Sequence, residues 1–342
     1  MKSLSILLAL VLAPGLDDPL PRLSKKELEQ GTRVKLKAEG RRLEQIARDI
    51  EEQTGNPVQE PIGPGPGGVW WADQPVSVSV SRASFWEAVD AVAEAAGLHA
   101  VGNLHRKAAF DEEPEVFHHG DFAAPAANRG AFRVQPTSDG RGHSLDLCLF
   151  AEPRIFPPDV TAATVRVEPA GAAPIAIEAD VRYDGDGAIV SVPLKRVPEE
   201  VTAAALEVEL TLAVVTAWKT EKLGRLEDLA GEPWEEDGLS VTVTELVRPG
   251  DEAPGQEPLH LVKLTLEGAR VPPDRVVLLD RRGKRLVPSQ WSSGGRNRDS
   301  LEIGYEPHAL DRDLGEYVLA ADVPDRRLEW PLALSFEQVR LR

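Results

Sequence analysis

An internal repeat constrains the first hundred residues more than any other feature of this sequence. A shift of 42 residues, from Val34 to Val76, superimposes two segments of similar pattern. Each copy begins with alternating apolar and polar residues and continues with apolar residues at helical spacing. The pattern predicts two strand–helix–strand units, with helices over Leu43–Thr54 and Phe85–Ala96. Their two apolar helix faces are expected to cover one face of a small shared sheet.

The ends of both predicted helices carry recognisable signals. Ser84 followed by Glu87 forms a capping box, in which each residue satisfies a backbone amide of the other. Gly55 and Gly97 follow the last helical residues, where the left-handed conformation that ends a helix favours glycine. These signals fix the expected boundaries of the two helices.

The segments after the helices support a family resemblance. Residues 53–58 read QTGNPV and residues 95–100 read AAGLHA, each with a glycine before an apolar strand. Over residues 32–105 the pattern resembles the short N-terminal domain of secretins and TonB-dependent receptors. The resemblance implies an extracytoplasmic domain, here over residues 24–105, that binds protein partners and has no catalytic residues. The Gly/Pro-rich segment 61–68 is longer than the connection usual in that family.

The N-terminus has the pattern of a signal peptide over residues 1–15. Lys2 precedes an apolar run from Leu4 to Leu12, and small residues lead to an expected cleavage site after Gly15. The run is shorter than the roughly 20 residues of a membrane span, and no later stretch reaches that length. We therefore expect an extracytoplasmic protein, periplasmic or secreted, without a membrane span. The alternative is a buried N-terminal strand or helix.

The rest of the chain has the pattern of two β-rich regions. Short alternating segments punctuated by Gly, Pro and Asp predict antiparallel β-sandwiches of immunoglobulin-like type over residues 131–221 and 239–342. Residues 106–130 and 222–238 have the composition of linkers. The expected fold class is α+β, a small β-α-β repeat domain followed by two sandwiches. This order is also similar to that of exported planctomycete-type multidomain proteins.

Composition excludes several kinds of chemistry. The chain has 56 acidic and 39 basic residues, a net charge of −17, which argues against nucleic-acid binding. A single cysteine, Cys148, excludes an intrachain disulfide and a multi-thiolate zinc site. No nucleophile elbow, metalloprotease motif or phosphate-binding loop occurs. We therefore expect no enzyme activity, no cofactor and no metal site. A hydrolase whose site is assembled between domains stays open as an alternative.

Two local motifs have simpler interpretations. His118 and His119 are adjacent, and residues adjacent on a strand point to opposite faces, so a solvated linker is favoured over a metal site. The segment Asp184–Gly187 begins like a calcium loop but lacks the later ligands, so it is interpreted as a hairpin turn.

Four residues are the candidate partner-binding positions. Trp70 and Trp71 follow the Gly/Pro-rich segment directly, and Arg41 and Arg42 open the first predicted helix, where cations are unfavourable. The two rings form either a docking surface or a plug, in which one ring closes the end of the domain and the other covers it. The two arginines indicate either an acidic partner or neutralisation by carboxylates of the chain itself.

The leading hypothesis is an exported, non-enzymatic binding or structural protein. Its N-terminal domain would recognise a protein partner. The alternative is a carbohydrate-binding protein that uses a row of exposed tryptophans on a sandwich face, drawn from Trp218, Trp234, Trp291 and Trp330.

Overall fold

A computed structural model gives the structure of most of the chain. It describes residues 22–59, 65, 68–103, 107–111, 115–116, 120–138, 143–184, 187–236, 239–248, 260–268, 275–280, 282–294, 300–306, 310 and 313–341. The expected signal peptide, residues 1–15, and the pair His118–His119 lie outside the described residues.

The described chain is mostly β, with several antiparallel sheets, and is compatible with the expected sandwich regions. It divides into two compact units. The first contains Arg22–Thr216 and Arg326–Arg342, and the second contains Ala217–Asp325. The segments 24–105 and 131–216 therefore lie within one unit. Separate folding of residues 24–105, like the immunoglobulin-like topology, stays a prediction.

The first unit opens with the elements of the repeat. These are α1 (Lys25–Gln30), β1 (Arg33–Arg42), α2 (Leu43–Thr54), β2 (Val58–Gln59), β3 (Pro75–Ser84), α3 (Phe85–Ala96), β4 (His99–Asn103) and β5 (Lys107–Asp111). Both helices have the bounds that the repeat predicts. Their apolar faces share one buried cluster with the inward residues of β1 and β3.

The helix ends also agree with the sequence signals. Ser84 N donates to Glu87 Oε2 at 2.7 Å, and Ser84 Oγ accepts from Glu87 N at 3.5 Å, which completes the capping box. Gly55 and Gly97 adopt φ of 68° and 70°, the left-handed region where other residues are strained.

The sheet around the helices differs from the expected one. Instead of a single shared sheet, β1 and β3 form a two-stranded antiparallel pair, and β2, β5 and β4 form a three-stranded sheet. The central strand of the second sheet is β5, which lies in the segment 106–130 that was interpreted as a linker. Its acidic, proline-containing surroundings hide the strand pattern, so the second sheet was not predicted.

The remaining strands of this unit form two larger sheets. The strands are β6 (Glu115–Val116), β7 (Gly120–Phe122), β8 (Ala127–Arg129), β9 (Phe132–Ser138), β10 (Ser144–Ala151), β11 (Asp159–Glu168), β12 (Ile175–Glu178), β13 (Asp180–Asp184), β14 (Gly187–Pro193) and β15 (Ala203–Arg225). One sheet has the order β13-β14-β10-β9-β7-β6, with β8 on β9. In the other, β11 lies between β12 and β15. Inward residues of both sheets share one apolar core.

The outer face of β9 and β10 is also buried. Leu145, Leu147 and Leu149 point into the core, whereas Cys148 belongs to the apolar cluster of the repeat. Arg133, with only 3% of its side chain exposed, bonds Asp90 Oδ1 of α3 at 2.7 Å. The repeat therefore packs directly on this sheet.

A buried carboxylate connects the repeat to the end of β10. Glu152 is fully buried and accepts hydrogen bonds from Thr32 N at 2.6 Å, from Thr32 Oγ1 at 2.5 Å, from Asn56 Nδ2 at 3.3 Å and from Arg154 Nε at 3.2 Å. Gly31, at φ 64°, approaches so closely that a Cβ there would lie 2.7 Å from Glu152 Oε1. We call these hydrogen-bonded residues (Thr32, Asn56, Glu152 and Arg154) the Glu152 network.

The described residues of the second unit form antiparallel strands and short helical segments. Its elements are α4 (Leu226–Leu229), β16 (Trp234–Glu236), β17 (Leu239–Val247), β18 (His260–Gly268), β19 (Val276–Leu279), β20 (Gln290–Gly294), β21 (Ser300–Tyr305) and part of β22 (Val318–Arg340). The order β16-β17-β18-β21-β20 forms one sheet, and β19 pairs with β22. The predicted linker 222–238 thus contains the end of β15, α4 and β16.

Among the described residues, no helix has the length and apolar character that crossing a bilayer requires.

Candidate functional site

The two adjacent tryptophans of the Gly/Pro-rich connection have opposite environments. Trp71 begins a 3-10 turn, Trp71–Asp73, and is 4% exposed within the apolar cluster of the repeat. Gly65 lies against its ring, so closely that a Cβ there would be 2.8 Å from Trp71 Cε2. Trp70 is 57% exposed, and Val69 beside it is 45% exposed. Trp71 is therefore the plug, and Trp70 belongs to the surface.

Backbone hydrogen bonds fix this turn against the start of α2. Asp73 N donates to Trp70 O at 2.9 Å, and Leu43 N donates to Gln74 O at 3.0 Å. Arg42 Nη1 lies 3.2 Å from Asp73 Oδ1 in an exposed ion pair. The end of the repeat thus presents an aromatic ring and an aliphatic side chain beside one ion pair. We call this surface, made of Arg42, Val69, Trp70 and Asp73, the Trp70 patch.

Arg41 is held away from the patch by an ion pair within the first strand–helix unit. Its Nη1 donates to Asp49 Oδ2 at 2.5 Å, and its Nη2 donates to Asp49 Oδ1 at 3.2 Å. Hydrogen bonding to Asp49, and then the attraction of its charge, raises the pKa of Arg41. Carboxylates of the chain therefore neutralise both arginines at the start of α2.

The structure thus brings two of the four candidate residues together on one surface. Trp70 and Arg42 lie on the Trp70 patch. Trp71 is buried in the core, and Arg41 forms an ion pair with Asp49 of α2. Val69 could not be predicted from the sequence, because one valine beside a Gly-rich segment has no periodic partner.

The charged outer face of β1 is a second surface feature that was not predicted. Arg33, Lys35 and Lys37 are exposed there and alternate with buried apolar residues. The alternation itself indicates this face, because residues two apart on a strand point to the same side.

The tryptophan row expected for carbohydrate binding is not formed by the described side chains. Trp218 and Trp234 are half-buried and Trp330 is 8% exposed. The side chain of Trp291 lies outside the described residues. Among the tryptophan side chains that the structure describes, only Trp70 is exposed.

Within the part of the chain that the structure describes, no group of three or more His, Cys, Asp or Glu side chains is arranged to hold a metal ion. Cys148 is buried, and its Sγ lies 3.8 Å from Thr137 Oγ1. Asp184 pairs directly with Gly187 across a two-residue hairpin, as the turn interpretation expects.

Comparisons with protein-family models, with curated proteins and with solved structures find no match to this chain.

Proposed function

We propose that this is an exported, non-enzymatic protein whose N-terminal region recognises a protein partner through the Trp70 patch. The observation that carries the proposal is the contrast between the two neighbouring rings. Trp71 is buried, while Trp70 stays 57% exposed although it follows the same turn. Leaving a large ring in water forgoes about 2 kcal/mol of burial, which a partner surface would recover.

The composition of the patch fits a protein interface. Tryptophan and arginine are enriched among the residues that dominate binding energy, and such anchors are commonly surrounded by a polar rim. Here exposed Val69 precedes Trp70, and Asp73, whose backbone N donates to Trp70 O, forms an exposed ion pair with Arg42. The turn is held by backbone hydrogen bonds, so little conformational entropy is lost when a partner binds.

Replacing Trp70 by alanine should abolish partner recovery without unfolding the protein. Loss of a central aromatic anchor costs about 2–4 kcal/mol of binding energy, which is at least a tenfold loss of affinity. The test is co-purification from the source organism with the tagged full-length chain, quantified by mass spectrometry. Val287→Ala is the matched control, because Val287 is 70% exposed but lies in the other unit. Equal recovery of every specifically bound protein with Trp70→Ala would contradict the proposal.

The proposed export makes a second, separate prediction. If residues 1–15 act as a signal peptide, the mature chain begins at Leu16 and is found outside the cytoplasm. N-terminal sequencing of the protein from fractionated cells measures both properties. A cytoplasmic protein that retains Met1 would show that the export proposal is wrong.

A further inference from the structure

The outer face of the two-stranded sheet carries a concentration of positive charge. Three exposed side chains project from β1: Arg33, Lys35 and Lys37. A fourth, Arg82, is exposed on β3 beside them. We call these four residues the basic face. The chain has a net charge of −17, so the charge of this face is opposite in sign to that of the protein as a whole.

The carboxylates of the chain leave most of this charge unneutralised. Lys37 Nζ lies 3.9 Å from Glu39 Oε1, and both side chains are at least 80% exposed, so this pair contributes little. Within the part of the chain that the structure describes, no carboxylate forms an ion pair with Arg33, Lys35 or Arg82. By contrast, Arg41 and Arg42 at the end of the same strand are both paired.

The backbone at Arg82 gives an independent reason to regard this face as functional. Arg82 has φ 59° at a register shift between β1 and β3, the one described non-glycine residue with positive φ. An L side chain in this left-handed region costs about 1–2 kcal/mol, which glycine would avoid. Its carbonyl accepts from Arg33 Nη1 at 2.8 Å. The bulge therefore keeps Arg82 on the surface in an unfavourable backbone conformation, and its carbonyl group accepts a hydrogen bond from Arg33, the second arginine of the basic face.

The neighbouring positions leave this charge accessible. Lys35 lies opposite Ser81, and Lys37 lies opposite Ser79, in the register of the two strands. Both serines are exposed. Small hydroxyl side chains do not screen the lysines and provide hydrogen-bonding groups between them.

We propose that the basic face binds an extended acidic segment of the protein partner. The proposal rests on the proposed function and adds the chemistry of the partner. Side chains two apart on β1 are about 6.6–6.8 Å apart, and alternate carboxylates of an extended peptide have the same spacing. Carboxylates with this spacing attract the cations that they face on β1. A second copy of β1 in the same place would instead bring lysine side chains close to lysine side chains, which repel each other. The face thus selects an acidic strand and disfavours self-association.

A narrow acidic segment fits this protein better than a broad anionic surface. Screening limits charge interactions to about 8–10 Å at physiological ionic strength, so a peptide on the basic face interacts with its four cations and, at one end, with the exposed carboxylate of Glu39. A membrane or a long polyanion would also approach the acidic remainder of the chain and be repelled. Anionic vesicles and heparin are therefore the contrasting probes.

Exposed lysines also protect the edge strands of sheets against aggregation, and the test must separate that role from partner binding. Charge reversal does so, because Lys35→Glu with Lys37→Glu keeps two charges on the strand but reverses their sign. The matched control is Lys195→Glu with Arg196→Glu, two exposed cations elsewhere in the same unit. Circular dichroism verifies that all variants are folded.

The probe is a fluorescein-labelled peptide of about twelve residues in which Glu and Thr alternate, titrated by fluorescence anisotropy with the full-length protein. We expect saturable binding that weakens between about 0.05 M and about 0.3 M salt. The Lys35/Lys37 reversal should weaken binding about tenfold or more, and the control reversal should change it less than about twofold. Replacing both lysines by glutamine should give an intermediate affinity.

Three outcomes would overturn the inference: no binding of the peptide, equal binding by the two reversed proteins, or tighter binding to phosphatidylglycerol vesicles or heparin. Failure here is distinguishable from failure of the proposed function. If Trp70→Ala abolishes partner recovery while the lysine reversal leaves it unchanged, the Trp70 patch stands and the acidic segment is wrong.

Discussion

Replacing Trp71 by alanine is expected to lower the free energy of unfolding by about 3–5 kcal/mol. The ring is 4% exposed in the cluster that both repeat helices share, and the backbone of Gly65 lies against it. Removing the indole leaves a cavity. The turn cannot move to fill it, because hydrogen bonds from Asp73 N to Trp70 O and from Gln74 N to Trp71 O fix its backbone. Urea unfolding followed by far-ultraviolet circular dichroism measures the change without relying on tryptophan fluorescence.

The adjacent residue supplies the control for this experiment. Trp70 is 57% exposed, so Trp70→Ala should change the free energy of unfolding by less than about 1 kcal/mol. The two substitutions remove the same side chain one residue apart, yet the structure predicts a stability defect for one and a binding defect for the other. Equal destabilisation by both, or a loss below about 1 kcal/mol for Trp71→Ala, would contradict the assignment of plug and surface.

Replacing Glu152 by alanine is expected to destabilise the first unit by about 3–5 kcal/mol. The carboxylate is fully buried and accepts four hydrogen bonds in the Glu152 network. Alanine removes the acceptor and leaves donors on buried Asn56 and on half-buried Thr32 and Arg154 without it. A buried donor left without an acceptor costs about 1–3 kcal/mol, a half-buried donor costs less because water reaches it, and the costs do not simply add. Urea unfolding of the full-length chain measures the loss.

Two further variants make the result specific to the network. Glu152→Gln keeps the side-chain volume and one acceptor oxygen, so it should lower the free energy of unfolding less than Glu152→Ala does. Glu178→Ala removes an exposed carboxylate at the end of β12 and should fall within about 0.5 kcal/mol of the parent protein. Native-state hydrogen exchange of Thr32 N should accelerate in Glu152→Ala. A Glu152→Ala protein as stable as the Glu178 control would contradict a stabilising role for this carboxylate.

The repeat could be predicted from the sequence because its signals are local. Each helix is marked by apolar residues at helical spacing, which begin after a capping box or a strand and end before a glycine. Each of these signals acts within four residues of the helix end. Ser84 and Gly97 therefore gave both ends of α3 correctly, Gly55 gave the end of α2, and the start of α2 followed from the change of apolar spacing after β1. The alternation of Leu145, Leu147 and Leu149 with other residues likewise indicates which face of β10 points into the core.

The contacts between distant segments could not be predicted in this way. Alternation with the three leucines places Cys148 on the outer face of β10, where local pattern indicates partial exposure, but it is 1% exposed because the cluster of the repeat lies on that face. The carboxylate of Glu152 accepts a hydrogen bond from Thr32 N, which is 120 residues away in the sequence. No local sequence pattern predicts such a pairing. For the same reason the two tryptophans were indistinguishable in the sequence. Which ring is buried depends on where Gly65 and the 3-10 turn lie.

The central claim, that the Trp70 patch binds a protein partner, is tested most directly by site-specific photocrosslinking in the source organism. A benzophenone amino acid is placed at position 69, beside the intact Trp70, in one strain and at position 287 in another. We expect a discrete adduct with one protein at position 69 that is absent at position 287. No adduct at position 69, or the same adducts at both positions, would contradict the claim.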